Sequence, residues 1–373
     1  KLPLIIAIDA YMNETTALAD YIVPDVHAFE SWGFSTPWAG VPSKTSTARW
    51  PAVASPNVKT AEGDTVGMEA FIIAVAKAMK LPGFGENAIQ DKEKKGYALN
   101  RAQDFFLRAA ANIAFDGKEP VQDASDKDIT LTGVTRIMDD LKATLKPEEV
   151  LKVANVYAKG GRFAPKASAW DGDNLTGQWK ACLQVWNPDV ARARNYHDGK
   201  PYHGCPTYFD AQFADNVPVE KRYPKKAWPF ELMSFKSNVM NSMTGHLLRL
   251  HNVKPEGIVA MNLKDAKKLG IKTGDTLLIT TPGGKAKATV MAIDGVMPGT
   301  IAIEHGYGHT GLGASSYVID GNVVEGNPAL ARGINLNDLG LVDRSKAITS
   351  PWVDWVCGST VRQGLPAKVT KVS

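Results

Sequence analysis

The chain has 373 residues, more than one compact core usually serves, so we expect two domains, with three as the upper limit. Hydrophobic residues make up 44% and charged residues 22%, which excludes a disordered tail or a fibrous repeat. The 43 basic and 39 acidic residues leave a net charge of +4. This charge indicates neither a nucleic acid nor a membrane as partner, although it would accommodate an anionic ligand.

The cysteines and the start of the chain restrict the class further. Cys182, Cys205 and Cys357 form no CxxC motif, which argues against a disulfide framework, a zinc finger or an iron–sulfur site within these residues. No segment reaches the roughly 18 apolar residues that a membrane span needs. The chain opens on an apolar run without an initiating Met or a signal peptide. We therefore expect it to begin inside a domain, with any targeting signal upstream.

The first hundred residues are typical of an α/β arrangement. Residues 4–8 are continuously apolar and lead to Asp9, which predicts a parallel strand buried on both faces. Polar residues 13–16 can cap a short helix, and residues 21–24 predict a second strand that ends at proline. A long surface loop over residues 33–65 precedes a helix over residues 68–79.

Three helical stretches follow, predicted over residues 100–114, 131–145 and 147–159. Pro147 with two following acids is a strong helix start, because proline suits the first turn and acids suit the positive end of the helix dipole. Residues 162–228 show little periodicity and indicate an irregular excursion that ends in a basic linker.

From Trp228 the pattern changes to short strands and tight turns. Asn262 is placed to cap a short helix that Gly270 ends. Strands are predicted over residues 276–281, 285–293 and 300–304, joined by turns rich in proline and glycine. Several strands of this length around one embedded helix indicate a small closed barrel.

The usual catalytic motifs are missing from the sequence. It contains no GxSxG nucleophile motif, and its GxGxxG string at residues 306–311 is not followed by a predicted helix, so the usual Rossmann signal is incomplete. His203 and Cys205 place two metal-capable groups side by side, but a metal site needs three or four donors, so packing is the favoured explanation.

Three polar, glycine-containing clusters carry the functional signal. Residues 304–313 hold four glycines and two histidines directly after a strand, which suits either a loop that approaches an anionic ligand or a plain barrel turn. Residues 234–245 are crowded with hydroxyl and amide groups beside Lys236. Residues 358–364 have the same character. Such groups suit a ligand rich in phosphates and heteroatoms, and they equally suit ordinary polar loops.

Three segments in this order resemble the molybdopterin-dependent oxidoreductases of the dimethyl-sulfoxide-reductase type. Residues 13–24 with residues 30–33 are similar to the segment of that family that helps to hold one guanosine end of the cofactor. Residues 262–275 are similar to the start of its C-terminal dinucleotide-binding domain. Within the family, residues 13–24, 235–238 and 304–309 most resemble the catalytic subunits of reductases that act on tetrathionate. Reductases of arsenate, and of thiosulfate or polysulfide, stay open as alternatives.

The resemblance implies a fold, a cofactor and partners. It implies a Rossmann-like α/β segment over residues 1–160, a connecting excursion over 161–227 and a double-psi β-barrel that binds molybdopterin dinucleotide over 228–373. It also implies a bis-molybdopterin guanine dinucleotide cofactor with molybdenum, a [4Fe-4S] cluster upstream of this chain, a periplasmic location, an iron–sulfur partner subunit and a membrane-anchor subunit. No nucleic acid partner is expected. The family's metal-ligating cysteine lies upstream, so no metal ligand is assigned here.

The resemblance also assigns roles to individual residues. His305 and His309 are the catalytic candidates. The cofactor-binding candidates are Asp9, Thr15, Thr16, Asp20, Lys236, Ser237, Asn238, Asn241, His305, Gly306, Gly308, Asn337, Arg362 and Gln363. The implied reaction is the reduction of tetrathionate to thiosulfate, and the chain by itself is expected to be inactive. The rival hypothesis is a ligand-binding module of the same fold without catalysis.

Overall fold

The computed structural model describes residues 2–372 except 37–41, 43–45, 62, 92, 118, 164–165, 177–184, 196–198, 312, 346, 348 and 355–357. The chain forms two compact units, of which the first comprises Lys1–Tyr11 and Leu18–Lys180. The second comprises Met12–Ala17 and Ala181–Ser373. The boundary falls inside the segment 161–227 that the sequence assigns to a connecting excursion. Among the described helices, none is long and apolar enough to cross a membrane.

The first unit opens with a small parallel sheet. Strand β1 (Ile6–Asp9) pairs with β2 (Tyr21–Pro24), and Ile6 lies opposite Tyr21. Both strands were predicted, but the expectation that the first is buried on both faces is wrong, since Ile6 is 41% exposed and none of the four residues of β1 is fully buried. Among the described residues this sheet has two strands, so each strand has a strand neighbour on one side.

The rest of the first unit is mainly helical. Its remaining strands and helices are β3 (Gly33–Ser35), β4 (Thr47–Arg49), α1 (Met68–Ala78), β5 (Gly85–Gln90), β6 (Gly96–Leu99), α2 (Ala102–Phe115), α3 (Asp126–Thr132), α4 (Met138–Thr144), α5 (Pro147–Lys159), β7 (Trp170–Asp171) and β8 (Asn174–Leu175). The core lies between α2, α4 and α5, where Leu107, Leu141 and Val153 are fully buried.

Two helix predictions in this unit had different outcomes. The prediction of a helix from Pro147 is confirmed to the residue, and Gly160 ends it in a left-handed conformation at φ 72°. The single helix predicted over residues 131–145 is wrong. Gly133 adopts φ 78° and ends α3, after which a 3₁₀ turn (Val134–Ile137) leads into α4.

The second unit contains most of the strands. Its helices and strands are α6 (Pro188–Arg192), α7 (Val219–Arg222), β9 (Phe230–Phe235), α8 (Leu248–Val253), β10 (Val259–Asn262), α9 (Leu263–Lys268), β11 (Thr276–Thr280), β12 (Lys285–Ile293), β13 (Thr300–Glu304), β14 (Tyr317–Ile319), β15 (Asn322–Val324), β16 (Val342–Asp343), β17 (Ser350–Pro351) and β18 (Leu365–Lys371). The Asn262 side chain accepts from the Lys264 amide, which confirms the predicted cap of α9.

Six of these strands close into a barrel in the order β10, β12, β11, β18, β9, β13. The pairs β10–β12 and β9–β13 are parallel and the other four are antiparallel. The barrel interior is apolar, and five of its core side chains are each at most 1% exposed: Leu232, Leu277, Ile279, Ile301 and Leu365. The closed barrel predicted from strand spacing is confirmed.

The barrel topology brings three chain segments to one edge. Because β9 and β13 run in parallel with Phe235 opposite Glu304, the loops that follow them leave the barrel side by side. Strand β18 runs antiparallel to β9 with Leu365 opposite Leu232, so the residues before β18 reach the same edge. This edge carries all three polar clusters singled out in the sequence.

Candidate functional site

The loops after β9 and β13 are joined where they leave the barrel. The backbone amide of His305 donates to the carbonyl of Phe235 at 2.8 Å. On the other side of β9, the side chain of Gln363 donates to the carbonyl and the hydroxyl of Ser234, both at 3.0 Å, and accepts from the Ser234 amide. The predicted residues Gln363 and His305 therefore lie on the same edge of the barrel.

Arg362 brings a positive charge and an unsatisfied donor to this edge. Its guanidinium donates to the side-chain carbonyl of Asn337 at 2.8 Å, which joins two of the predicted cofactor residues. Its Nε is buried and has no hydrogen-bond partner among the described residues. A buried donor left without an acceptor costs free energy, so this atom suits an acceptor supplied by a ligand.

His305 sits among cations. Burial, Lys236, Arg362 and His309 together hold the pKa of the His305 imidazole below its ordinary value. Positive charges gathered around a half-buried ring favour the neutral ring and attract an anion. The neutral ring can then offer a hydrogen bond to a bound group.

A buried ion pair supports the loop from below. Glu304 is 1% exposed, and its Oε2 accepts from Lys254 Nζ at 2.6 Å and from the Ile258 amide at 2.9 Å. Three residues further on, Tyr307 is also buried and donates to the Lys254 carbonyl at 3.0 Å. Its ring meets the buried His251 edge to face at 5.6 Å. The loop is therefore fixed on both sides of His305.

The glycines of the loop pack closely against the protein's own backbone. Gly306 and Gly308 are predicted to let the backbone lie against a ligand. A Cβ at Gly308 would lie 2.2 Å from the amide nitrogen of Asn335, and one at Gly306 would lie 3.0 Å from the carbonyl of Asn241. Both glycines are therefore needed for close packing against the protein's own backbone. A cofactor contact at these positions stays a prediction.

Several predicted residues in the loop after β9 serve local structure. The Ser237 hydroxyl accepts from the Met240 amide at 3.0 Å, and the Asn241 side chain accepts from the Met243 amide at 2.8 Å. These bonds shape the turns and orient the loop. Asn238 and Lys236 lie at the same edge, where a ligand can reach them.

The predicted residues near the start of the chain fall in both units. Thr16 is 2% exposed in the second unit, where its hydroxyl bonds the backbone of Asn13 at 2.8 Å, while Thr15 is exposed. Asp9 and Asp20 lie in the first unit, in contact with the amides of Tyr11 and Ile5 at 3.1 Å and 2.8 Å. Thr16 and Asp20 therefore have structural roles within their own units.

The structure also brings together three side chains that no sequence motif indicated. Glu14, His246 and His309 come from three separate segments of the second unit. Oε1 of Glu14 lies 3.1 Å from Nδ1 of His309, and the two histidine rings are 4.5 Å apart. Burial alone would raise the pKa of Glu14, but hydrogen bonds from its own amide, His309 and Gly311 hold it below its ordinary value. The sequence separation of the three residues explains why no motif indicated them.

His203 and Cys205, the neighbouring metal-capable residues of the sequence, make local contacts. The His203 ring packs 5.6 Å from Phe209, and Cys205 is exposed near Thr207, in agreement with the packing interpretation. Cys182 and Cys357 lie outside the described residues.

A cavity of about 860 Å³ lies within the second unit. Its lining includes His203, Tyr208, Trp352 and Gln363. This volume is within the range of sites for cofactors and small molecules. Gln363 belongs both to the lining of this cavity and to the barrel edge.

Comparison with known proteins gives the family. Residues 233–349 match the Molydopterin dinucleotide binding domain. The chain is 53% identical over 372 residues to a tetrathionate reductase subunit of Salmonella typhimurium, covering 100% of this chain and 36% of that protein. It is 29% identical over 371 residues to a selenate reductase subunit of Mesobacillus selenatarsenatis, covering 92% of this chain and 34% of that protein.

A solved structure agrees at the level of the fold. Acetylene hydratase from Pelobacter acetylenicus matches with a TM-score of 0.51 and 18% identity, covering 99% of this chain and 40% of that chain. The chain thus spans about a third of the length of the curated relatives described above. The β9 and β13 loops both lie within the matched residues 233–349, whereas Arg362 and Gln363 lie beyond them. The chain belongs to the molybdopterin oxidoreductases, and its barrel carries their dinucleotide-binding domain.

Proposed function

We propose that this chain is part of the catalytic subunit of a respiratory reductase that converts tetrathionate to two thiosulfate ions with two electrons. The observation that carries the proposal is the 53% identity to the tetrathionate reductase subunit of Salmonella typhimurium over the whole chain. The positive edge of the barrel, with its unsatisfied donor, provides the physical support. Identity to the selenate reductase is lower, at 29%, so tetrathionate is preferred to other oxyanions.

The donor set at the barrel edge fits the proposed cofactor, a bis-molybdopterin guanine dinucleotide with molybdenum. That group carries pyrophosphates and heteroaromatic edges, which call for cations and hydrogen-bond donors. Lys236 and Arg362 supply charge, and the buried Nε of Arg362 is a donor without an acceptor among the described residues. When bound, the group would supply the two-electron redox chemistry.

Each residue of the edge has a role in this proposal. Lys236 and Arg362 neutralise phosphate charge, and His305 offers a hydrogen bond to the bound group or to the substrate dianion. Gln363 holds the end of β9 in place, and the Lys254–Glu304 pair fixes the start of the His305 loop. The remaining predicted residues are proposed as further contacts: Asp9, Thr15, Thr16, Asp20, Ser237, Asn238, Asn241, Gly306, Gly308 and Asn337, with His309 near the reaction centre.

We further propose a double-psi path for the barrel over residues 228–373 and a Rossmann-like half for residues 1–160, with residues 161–227 as the connection. Two parallel strand pairs inside a closed barrel support the first idea, and the parallel β1–β2 pair supports the second. The exposed apolar faces of β1 and β2 are what a sheet would present if further strands came from another part of a longer subunit.

The remaining family expectations are kept as proposals. A [4Fe-4S] cluster would lie in another part of the longer subunit, electrons would arrive through an iron–sulfur partner subunit, and a membrane-anchor subunit would hold the complex at the periplasmic side. The chain alone would be inactive because the proposed molybdenum ligand is not among its residues. Arsenate, thiosulfate or polysulfide, and selenate are the alternative substrates.

A substrate panel on the longer subunit tests the function. With a reduced viologen as donor, tetrathionate should give the highest kcat/KM, ahead of thiosulfate, arsenate and selenate. His305→Ala should lower kcat or cofactor content by roughly tenfold or more, the loss of one hydrogen bond to charge. A higher kcat/KM for another oxyanion would make that oxyanion the substrate in place of tetrathionate. The absence of both molybdenum and turnover would end the proposal.

A further inference from the structure

A second ligand site is built into the same unit around His309, which the proposed function places near the reaction centre. Glu14 comes from the segment Met12–Ala17, His246 lies just before α8, and His309 lies in the loop after β13. One ligating atom from each of the three side chains lies within 4.8 Å of the other two. We propose that Glu14, His246 and His309 bind one divalent transition-metal ion of the zinc class.

The distances suit such an ion. Zinc binds nitrogen and oxygen ligands at about 2.0–2.1 Å in a tetrahedron, so its ligand atoms stand about 3.3 Å from one another. Oε1 of Glu14 and Nδ1 of His309 are already 3.1 Å apart. The side chain of Glu14 is 43% exposed, so it can adjust its torsions to bring the third ligand into the same shell.

The types of donor atom restrict which metal ion this site can bind. Two imidazoles with one carboxylate are a donor set for zinc and its neighbours in the transition series, whereas calcium and magnesium prefer oxygen donors throughout. Three protein ligands leave the fourth position of a tetrahedron for water or another group. The exposed side of Glu14 provides the way in from solvent.

The packing holds the ligands close together. A Cβ at Gly245, directly before His246, would lie 2.5 Å from Nε2 of His309, and one at Gly311 would lie 2.5 Å from Cγ of Glu14. Any larger residue would push a ligand away. The Gly245 carbonyl also accepts from Nε2 of the buried His251 at 2.8 Å, which anchors the backbone beside His246.

A simple hydrogen-bonded contact explains less of this arrangement. The bond between Glu14 and His309 alone would attach the segment Met12–Ala17 to the loop. It would not need a second histidine ring 4.5 Å from the first, with Nδ1 of that ring buried. A metal ion uses all three side chains and joins three segments that are distant in sequence. The site goes beyond the proposed reductase function because binding of this ion is not part of that proposal.

The test is the metal content of the longer subunit, purified without chelators. Zinc and molybdenum are measured on the same samples, and zinc is then replaced by Co²⁺ so that its visible absorption reports a nitrogen and oxygen shell. We expect about one zinc per chain, reduced at least tenfold in Glu14→Gln and in His246→Ala/His309→Ala. His203→Ala is the matched control and should retain zinc, since that histidine packs on Phe209.

Glu14→Gln is the decisive variant because it keeps the size of an exposed side chain and should fold. Zinc content that is unchanged in both variants, or the absence of zinc and of Co²⁺ binding from the unaltered protein, would overturn the proposal. Molybdenum is measured separately, so the two proposals can fail independently. Loss of zinc from the variants with molybdenum retained supports this zinc site. Absence of molybdenum from a protein that still binds zinc would contradict the cofactor assignment but not the zinc site.

Discussion

In the barrel, each of six strands has a neighbour on both sides, and Ile301 and Leu277 are fully buried. In the β1–β2 sheet, each strand has one neighbour among the described residues, and Ile6 and Tyr21 are 41% and 66% exposed. Strands rich in apolar residues occur in both regions. The closed barrel buries the apolar side chains of its own strands. The parallel pair has the apolar composition of a buried sheet, but in the described part of the chain its side chains are not packed under other elements as they are in such sheets.

The largest expected effect comes from the charge that the barrel buries. Lys254→Met leaves the carboxylate of Glu304, which is 1% exposed, without its cation. Breaking a buried pair on one side costs about 3–5 kcal/mol of unfolding free energy. Lys225→Met is the control, since Lys225 pairs with Glu231 at 3.5 Å on the surface with 67% and 52% exposure. Urea denaturation should show a change below about 1 kcal/mol for the control, and equal losses would contradict the burial argument.

The second prediction compares the same residue type in both regions. Ile301→Ala removes a fully buried side chain from β13 and should cost about 2–5 kcal/mol. Ile6→Ala in β1, where the side chain is 41% exposed, should cost less than about 1 kcal/mol in the isolated chain.

The comparison becomes sharper in the longer subunit. If further polypeptide covers the β1–β2 sheet there, the cost of Ile6→Ala should rise towards the barrel value, while that of Ile301→Ala should not change. Denaturation of both proteins measures the two differences. A cost for Ile6→Ala that is equally small in both settings would mean that the sheet stays open.

The regions also differ in how well the sequence predicted them. The barrel, its strand Thr300–Glu304 and the cap by Asn262 could be predicted because turns, caps and alternation are local signals. The exposure of β1 could not be predicted, because it depends on what packs against the strand. The Glu14–His246–His309 group could not either, because its members are joined only by the folded chain. The same holds for the Lys254–Glu304 pair.

The third prediction concerns the loop that leaves the barrel beside the candidate site. Gly308 has φ 75°, and an added Cβ would lie 2.2 Å from the Asn335 amide nitrogen. Gly299 has φ 81° with nothing within 4 Å. Gly299→Ala should cost about 1–2 kcal/mol from conformation alone, and Gly308→Ala should cost clearly more. Thermal unfolding of the two variants measures the difference. Equal shifts in Tm would mean that the loop rearranges to accommodate the added Cβ.

The smallest expected effect is a pH dependence. The pKa of Glu304 is held below its ordinary value of 4.5, because Lys254, Ser237 and the Ile258 amide outweigh burial. Its contribution to stability is therefore complete above about pH 4.5 and is lost as the pH falls through the lower folded value. Between pH 7 and pH 3.5, Glu304→Gln should lose less stability than the unaltered protein in urea titrations. Parallel pH curves would show that Glu304 is not the group responsible.

The central claim is that the positive edge of the barrel holds the molybdopterin dinucleotide. The most direct test is the molybdenum and pterin content per polypeptide of the longer subunit that carries Lys236→Ala/Arg362→Ala. The charge-matched control, away from the edge, is Lys225→Ala/Lys226→Ala. Loss of two charged contacts should lower molybdenum content by roughly tenfold or more, while the control keeps it. Full molybdenum and pterin in the edge variant, with the fold intact, would contradict the account.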